Sequence, residues 1–304
     1  MNALRIAVIG IGSNSLRMLV ADRIENQLTA VLRQREGLRV FASLNQKKEI
    51  SAAIIQHACG SVEIMRQAAV RAGADTIKLF ATSAVRDASN QQQLAKQLWE
   101  ITGLELEIIS GELEAKLSFI GATEEERSGM IDIGGGSTEI VIGQGETIEF
   151  ACSLQAGAVR LFREIPITGA QDTARIIQAV KALLQPYHTE LSQIKTPTAW
   201  VGVGGTMTVL STSIQHINWE DHRSIQGFVA KRDDVQAVMC TLADLPLDER
   251  QALPYIPPDR ADIVVHGFAI LLGCMEEIGI EQIQISNRTN LDGYLKLMPA
   301  DGSK

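Results

Sequence analysis

The chain has 304 residues, room for two domains of ordinary size, and its 45% hydrophobic and 21% charged residues support packed cores and exclude a disordered chain. A formal net charge of −8 excludes binding of polyanions by bulk charge, so any anionic partner must be held by local groups. Cys59, Cys152, Cys240 and Cys274 stand far apart in apolar contexts without ligand spacing, which points to reduced thiols and away from a disulfide frame or a zinc site.

The start runs directly into an apolar strand with no cleavage-site pattern, and the longest apolar stretch, "IVVHGFAILLGCM", is too short to span a bilayer. A soluble cytoplasmic protein is expected. Alternation predicts strands at 5–9 and 16–22 around the turn Gly12-Ser13-Asn14-Ser15, then a third strand in 28–41. Helical spacing follows over 51–73, ending on Gly73. "TIKLFATSAVRDA" reads as a buried strand passing into a loop and helix. "LELEIIS" is a strand whose Ser110 caps a helix over 111–123. The second half repeats this logic. A hairpin at 129–142 encloses Gly134-Gly135-Gly136-Ser137, and a strand near 147–152 leads to a helix over 173–188. "AWVGVGGTMTVLS" is a strand, a turn at Gly204-Gly205-Thr206 and a helix start; a long helix over 259–279 and a strand in 280–289 complete the chain. Strands alternating with helices in both halves give an α/β protein of two related lobes, divided as 1–122 and 123–304 where "GATEEERSG" breaks the pattern.

The two hairpins share one register. Ile9 aligns with Ile131, Gly12 with Gly134, Ser15 with Ser137 and Val20 with Ile142. Gly10 then stands where the second copy has Asp132. A strand–turn–strand rich in glycine and hydroxyls can aim successive backbone N–H groups at one anion. Two such turns would grip a phosphate chain from both sides of a cleft.

The motifs "GSNSLRMLV", "ATSAVRDA", "IISGELEAKLSFIGA", "IDIGGGSTEIVIG", "SLQAGAVRLFRE", "VGVGGTMTVLS" and "PPDRADIVVHGFAIL" follow one another over roughly residues 5–297. In order and spacing they resemble the exopolyphosphatase / guanosine pentaphosphate phosphatase family of the actin / sugar kinase / heat-shock ATPase superfamily. The resemblance implies two duplicated RNase-H-like lobes with a cleft between them, in a short form without the additional helical C-terminal domain of longer members. It also implies hydrolysis of the terminal phosphoanhydride of inorganic polyphosphate or guanosine pentaphosphate, with Mg²⁺. Terminal phosphoryl transfer to water needs an aligned water, neutralised equatorial oxygens and a proton acceptor.

By this resemblance Glu114 is the proton acceptor. Its helix agrees, because Leu113, Leu117 and Ile120 form an apolar stripe while Glu114 shares the other side with Ser118 and Gly121. Glu112 reads as a solvated neighbour. Asp132, an acid ending an apolar strand, matches the family residue that aligns the water or holds Mg²⁺, and Glu139 matches a further acid; both are the expected metal ligands and, with Glu114, the catalytic set. Gly12, Ser13, Asn14, Ser15, Gly134, Gly135, Gly136 and Ser137 are expected to bind phosphate, with Arg86 as the first-lobe cation, unless Arg86 is consumed in a salt bridge with a local acid. Arg17 is a weaker candidate. Gly204, Gly205 and Thr206 would hold a distant part of the substrate or only close the second lobe. The histidines show no ligand spacing.

Two motifs depart from the family pattern. Gly10 replaces the first-turn aspartate, and "SNRTNLDG" replaces "SDxxLREG", putting Asn287 and Leu291 where Asp and Arg are expected. Loss of a carboxylate weakens a hard-cation site. A non-catalytic binding module for polyphosphate or guanosine tetraphosphate is therefore the alternative to a hydrolase. An ATP-dependent phosphotransferase fits less well, since no aspartate is placed as a base for a sugar hydroxyl. No nucleic-acid or membrane partner is expected, and a homodimer is compatible with the sequence.

Overall fold

The computed structural model describes residues 4–24, 27–124, 126–221 and 224–298. The chain forms two compact units, Met1–Leu117 with Asn290–Lys304, and Ser118–Thr289. In the first unit, β1 (Leu4–Ile11), β2 (Ser15–Ile24) and β3 (Gln27–Gly37) form an antiparallel meander. The four-residue α1 (Val40–Ser43) and the long α2 (Ala52–Arg71), capped by Ser51, lead to β4 (Thr76–Ala81), which pairs parallel to β1. Then come α3 (Ser83–Arg86), α4 (Gln91–Thr102), β5 (Leu106–Ile108) and α5 (Gly111–Ala122). The sheet order is β3-β2-β1-β4-β5, with β5 parallel to β4.

The second unit repeats that plan. β6 (Ser128–Ile133), β7 (Thr138–Gln144) and β8 (Thr147–Leu154) form the meander, followed by α6 (Ala158–Glu164), α7 (Thr173–Leu184) and α8 (His188–Gln193). β9 (Ala199–Val203) runs parallel to β6 and opens into α9 (Gly204–Gln215). β10 (Val229–Lys231), α10 (Arg232–Asp244), α11 (Leu247–Gln251), α12 (Val264–Ile278) and β11 (Gln282–Ile285) complete the unit. Its sheet order is β10-β11-β9-β6-β7-β8, so β8-β7-β6-β9-β11 matches β3-β2-β1-β4-β5 strand for strand, in direction as well as order. This is the expected RNase-H-like duplication. The second core packs α12, apolar on nearly every face, against sheet and helices.

Three differences from the sequence expectation have physical causes. The helix expected over 173–188 ends at Leu184 and passes through a 3₁₀ turn, Gln185–Tyr187, because Pro186 has no N–H to continue the ladder. The helix expected from 259 begins at Val264, after a 3₁₀ turn Pro258–Arg260 started by Pro257 and Pro258. The division between units falls inside α5, and the C-terminal helix α13 (Asn290–Leu297) belongs to the first unit, whereas the sequence assigned 123–304 to the second lobe. Leu291, Leu295 and Met298 complete the first core beside Ile6, Val8, Phe80 and Leu117. Polar ties reinforce them. Arg33 holds the Asp292 carboxylate at 2.5 and 3.2 Å, and Tyr294 donates to Glu107 at 2.7 Å. Among the described residues no helix is long and apolar enough to cross a membrane. All four cysteines are free thiols, three of them buried.

Candidate active site

Both small-residue turns close in the same way. Gly12 N–H donates to the Ser15 carbonyl at 3.0 Å, and Gly134 N–H to the Ser137 carbonyl at 2.9 Å. The ladders agree residue by residue, with Gly10 opposite Arg17 in β1/β2 and Asp132 opposite Glu139 in β6/β7. In the first turn the carboxamide of Asn14, only 6% exposed, has no hydrogen-bond partner on either polar atom. An orphaned buried amide is costly unless a ligand or water meets it. Ser13 shares a 2.8 Å hydrogen bond with Ser83 at the start of α3, which ties this turn to the strand–helix junction behind it.

Glu114 lies in the first turn of α5. Ser110 accepts the Leu113 N–H at 3.1 Å, so the predicted cap is present. Glu114 is 9% exposed, which excludes the solvated-helix reading, whereas Glu112 is exposed as expected. Arg86 Nη1 donates to Glu114 Oε2 at 3.2 Å and to the Ile109 carbonyl at 2.8 Å. The salt bridge weighed for Arg86 is thus real, but its partner is the candidate base itself. This bond fixes one carboxylate oxygen of Glu114.

In the second unit Asp132 and Glu139 are direct cross-strand partners and therefore share one face of the sheet. Ser118 Oγ donates to Asp132 Oδ2 at 2.9 Å, and Ser153 on β8 donates to Glu139 Oε1 at 2.8 Å. Glu139 is 2% exposed, so the surface-glutamate reading fails. Gly204, at φ 88°, needs glycine twice over: its backbone is left-handed, and a Cβ would meet Asp132 Oδ1 at 2.6 Å. Thr206 turns inward and donates to the Ile133 carbonyl at 3.3 Å, beside Gly267.

Arg260 is the residue sequence reasoning missed. It is buried, and its guanidinium lies over Gly205, where any Cβ would overlap it. The available signal was an arginine between two aspartates at the entry to an apolar helix, in "DRADIVV". It gives this unit a buried cation against the Gly204–Gly205 turn that also meets Asp132. Arg17 and Arg35 are cross-strand partners on the rung containing Gly10, so the first unit is basic where the second is acidic.

Among the described residues no three His, Cys, Asp or Glu side chains are grouped to share a metal ion. The donor set at Asp132 and Glu139 is two adjacent carboxylates. That fits a hard ion that keeps most of its waters and arrives on phosphate oxygens, not an all-protein cage. The described histidines bind elsewhere: His57 to Glu36, His188 to Glu277, His266 to the Ile165 carbonyl, with His216 edge-on to Tyr255. A groove of ≈ 620 Å³ on the first unit, walled by Trp99, Leu113, Tyr294 and Met298, contains none of the candidate residues.

Residues 19–297 match the Ppx/GppA phosphatase family. Exopolyphosphatase 2 of Mycobacterium tuberculosis is 29% identical over 314 residues, covering 95% of this chain and 97% of that protein. The guanosine-5'-triphosphate,3'-diphosphate pyrophosphatase of Aeromonas hydrophila is 29% identical over 299 residues, covering 95% of this chain but 58% of that longer protein. An exopolyphosphatase crystal structure from Cytophaga hutchinsonii superposes with a TM-score of 0.88 at 24% identity, covering 99% of both chains. An Aquifex aeolicus Ppx/GppA enzyme gives 0.82 at 22% identity, covering 97% of this chain and 99% of that one.

Proposed function

The chain belongs to the Ppx/GppA phosphatase family, and from that premise we propose that it releases the terminal phosphate of inorganic polyphosphate or guanosine pentaphosphate. Phosphoanhydride hydrolysis is the chemistry of the family; the choice of substrate is our reading. One observation carries it: Glu114 is buried at a capped helix start, with one oxygen held by Arg86. A water attacks the terminal phosphorus, the bridging P–O bond breaks, and the water's proton passes to Glu114. The shortened chain keeps the bridging oxygen, and orthophosphate leaves.

Backbone N–H groups of the Gly12–Ser15 and Gly134–Ser137 turns hold phosphate oxygens, aided by Asn14. Asp132, oriented by Ser118, aligns the reaction. Mg²⁺, when bound with the substrate, would be held by Asp132 and Glu139 and would neutralise phosphate charge. The test is phosphate release from polyphosphate and from guanosine pentaphosphate, each with Mg²⁺, with Mn²⁺ and without metal. Release from neither, under any condition, would reject the proposal.

A second reading is a binding module without turnover. It is favoured by the first turn, where Gly10 offers no carboxylate and is backed by Leu291 and Phe80. Tight binding of tripolyphosphate with no phosphate release would establish it.

A further inference from the structure

A peptide unit is planar and trans, so its C=O and the following N–H point in opposite directions. Whatever anchors the carbonyls of a turn therefore aims its N–H groups. In the second unit three consecutive carbonyls are anchored from one side. The Gly134 carbonyl accepts from Ala158 N–H at 2.9 Å, and the Gly135 carbonyl accepts from both Val159 and Arg160 N–H at 3.0 Å. The Gly136 carbonyl accepts from the Arg160 side chain, Nε, at 2.7 Å. The three backbone donors are the first three N–H groups of α6, which have no partner within their own helix. Gly157, the residue before α6, presses so closely on the Gly135 and Gly136 peptides that any Cβ would overlap them.

The partner N–H groups of those three peptide units belong to Gly135, Gly136 and Ser137. They are turned to the opposite side, and hydrogen bonding at each carbonyl polarises the N–H across the same peptide. The first unit uses the same device with main-chain donors. Phe41 N–H holds the Ser13 carbonyl at 2.9 Å, while Leu38 and Arg39 N–H hold the Asn14 carbonyl at 3.0 Å. In the second turn a side chain, that of Arg160, anchors the last peptide. Arg160 is steadied in that position by a 2.9 Å hydrogen bond from Nη2 to Gln155 Oε1.

We propose that Arg160 is a positioning residue for anion binding: acting through the Gly136 carbonyl, it holds the Ser137 N–H toward the phosphate. This deepens the phosphate-binding reading above and rests on it. The test compares Arg160→Ala and Arg160→Lys with the parent. KM for phosphate release is measured, and tripolyphosphate affinity is measured by calorimetry in a Glu114→Gln background, which prevents turnover. Arg160→Ala should raise KM and the tripolyphosphate Kd together by about tenfold, with kcat within about twofold and a similar melting temperature. Arg160→Lys, which keeps the charge and one donor, should recover part of the loss. The defect should persist in ~0.5 M salt, because a short hydrogen bond is screened far less than a distant charge.

A lower melting temperature with unchanged KM and Kd would reduce Arg160 to a structural role and overturn the proposal. A defect abolished by salt would do the same by making it a long-range charge. If the parent releases no phosphate at all, hydrolysis fails as a reading, but the tripolyphosphate affinities still decide the role of Arg160. As a second variant, Gly157→Ala should weaken tripolyphosphate binding through the same peptides without altering any charge.

Discussion

Gly10 faces Leu291: a Cβ built on Gly10 would lie 3.0 Å from Cδ2 of Leu291 and 3.1 Å from Cζ of Phe80. Gly10 and Leu291, two of the positions where the family resemblance implies a charged residue, are therefore neighbours in space although they stand at opposite ends of the chain. An apolar contact stands where the resemblance implies two charged residues. Gly10 is not among the positive-φ glycines, so its backbone accepts other residues; what closes the position is packing.

In Gly10→Asp a carboxylate would enter a space walled by a leucine and a phenylalanine, at a cost of at least about 2 kcal/mol. The double variant Gly10→Asp/Leu291→Arg should recover part of that loss, because the two new charges meet. Chemical denaturation of the two single variants, the double variant and the parent gives the coupling energy. Additive losses would separate the two positions, and an undiminished stability for Gly10→Asp would show that Leu291 yields easily.

Glu114→Gln should reduce phosphate release by about 10²-fold or more while preserving the fold, as removal of a general base does. For Arg86→Ala the bond to Glu114 changes the expected pattern. An arginine that only touched substrate would alter mainly KM. One that also orients the base should lower kcat, by on the order of tenfold. Steady-state kinetics separate the two, and a raised KM with kcat untouched would confine Arg86 to the substrate.

Asp132→Asn should abolish hydrolysis, because no carboxylate at position 10 can substitute. Ser118→Ala is the finer probe. Ser118 is 1% exposed and its hydroxyl holds Asp132 Oδ2. Its removal should cost about 1–3 kcal/mol of stability and also lower kcat, by on the order of tenfold. Stability loss with full activity would mean that Asp132 keeps its orientation through other contacts.

Much of this architecture was legible in the sequence because it is written locally. Alternation marked β1, β2, β6 and β7, the glycine turns marked their junctions, and Ser110 announced α5. The candidate residues were legible as residue types, and of the three acids Glu114 and Glu139 are buried while Asp132 is half-buried. What stayed hidden were relations across the chain. Arg86 and Glu114 are 28 positions apart, and nothing in either segment names the other. The α13 segment "NLDGYLKL" carries a weak signal, because a short helix owes its stability to the core it joins, here that of the first unit. The environment of Gly10 could not be read without α13. Arg260 was passed over because a motif arginine says nothing about burial until Gly205 is seen beneath it.

His266 gives a pH test that is independent of catalysis. It sits on α12, 3% exposed; Nε2 donates to the Ile165 carbonyl at 3.0 Å, Nδ1 has no hydrogen-bond partner, and Phe162 packs edge-on against the ring. Burial pushes its pKa below the ordinary histidine value, and the Arg250 charge pushes the same way; the Ile165 hydrogen bond and Asp262 oppose them. The folded protein therefore holds a neutral ring where the unfolded chain takes up a proton near pH 6.5. The associated stability is complete above pH 6.5 and drains away as pH falls through that value toward the depressed folded pKa. His266→Gln removes the titration and can still donate to Ile165. Melting temperatures of parent and variant between pH 7.5 and 5 should diverge, with the parent falling more steeply below pH 6.5. Parallel curves would mean that the cavity accepts the proton without penalty, and that Asp262 compensates the charge in full.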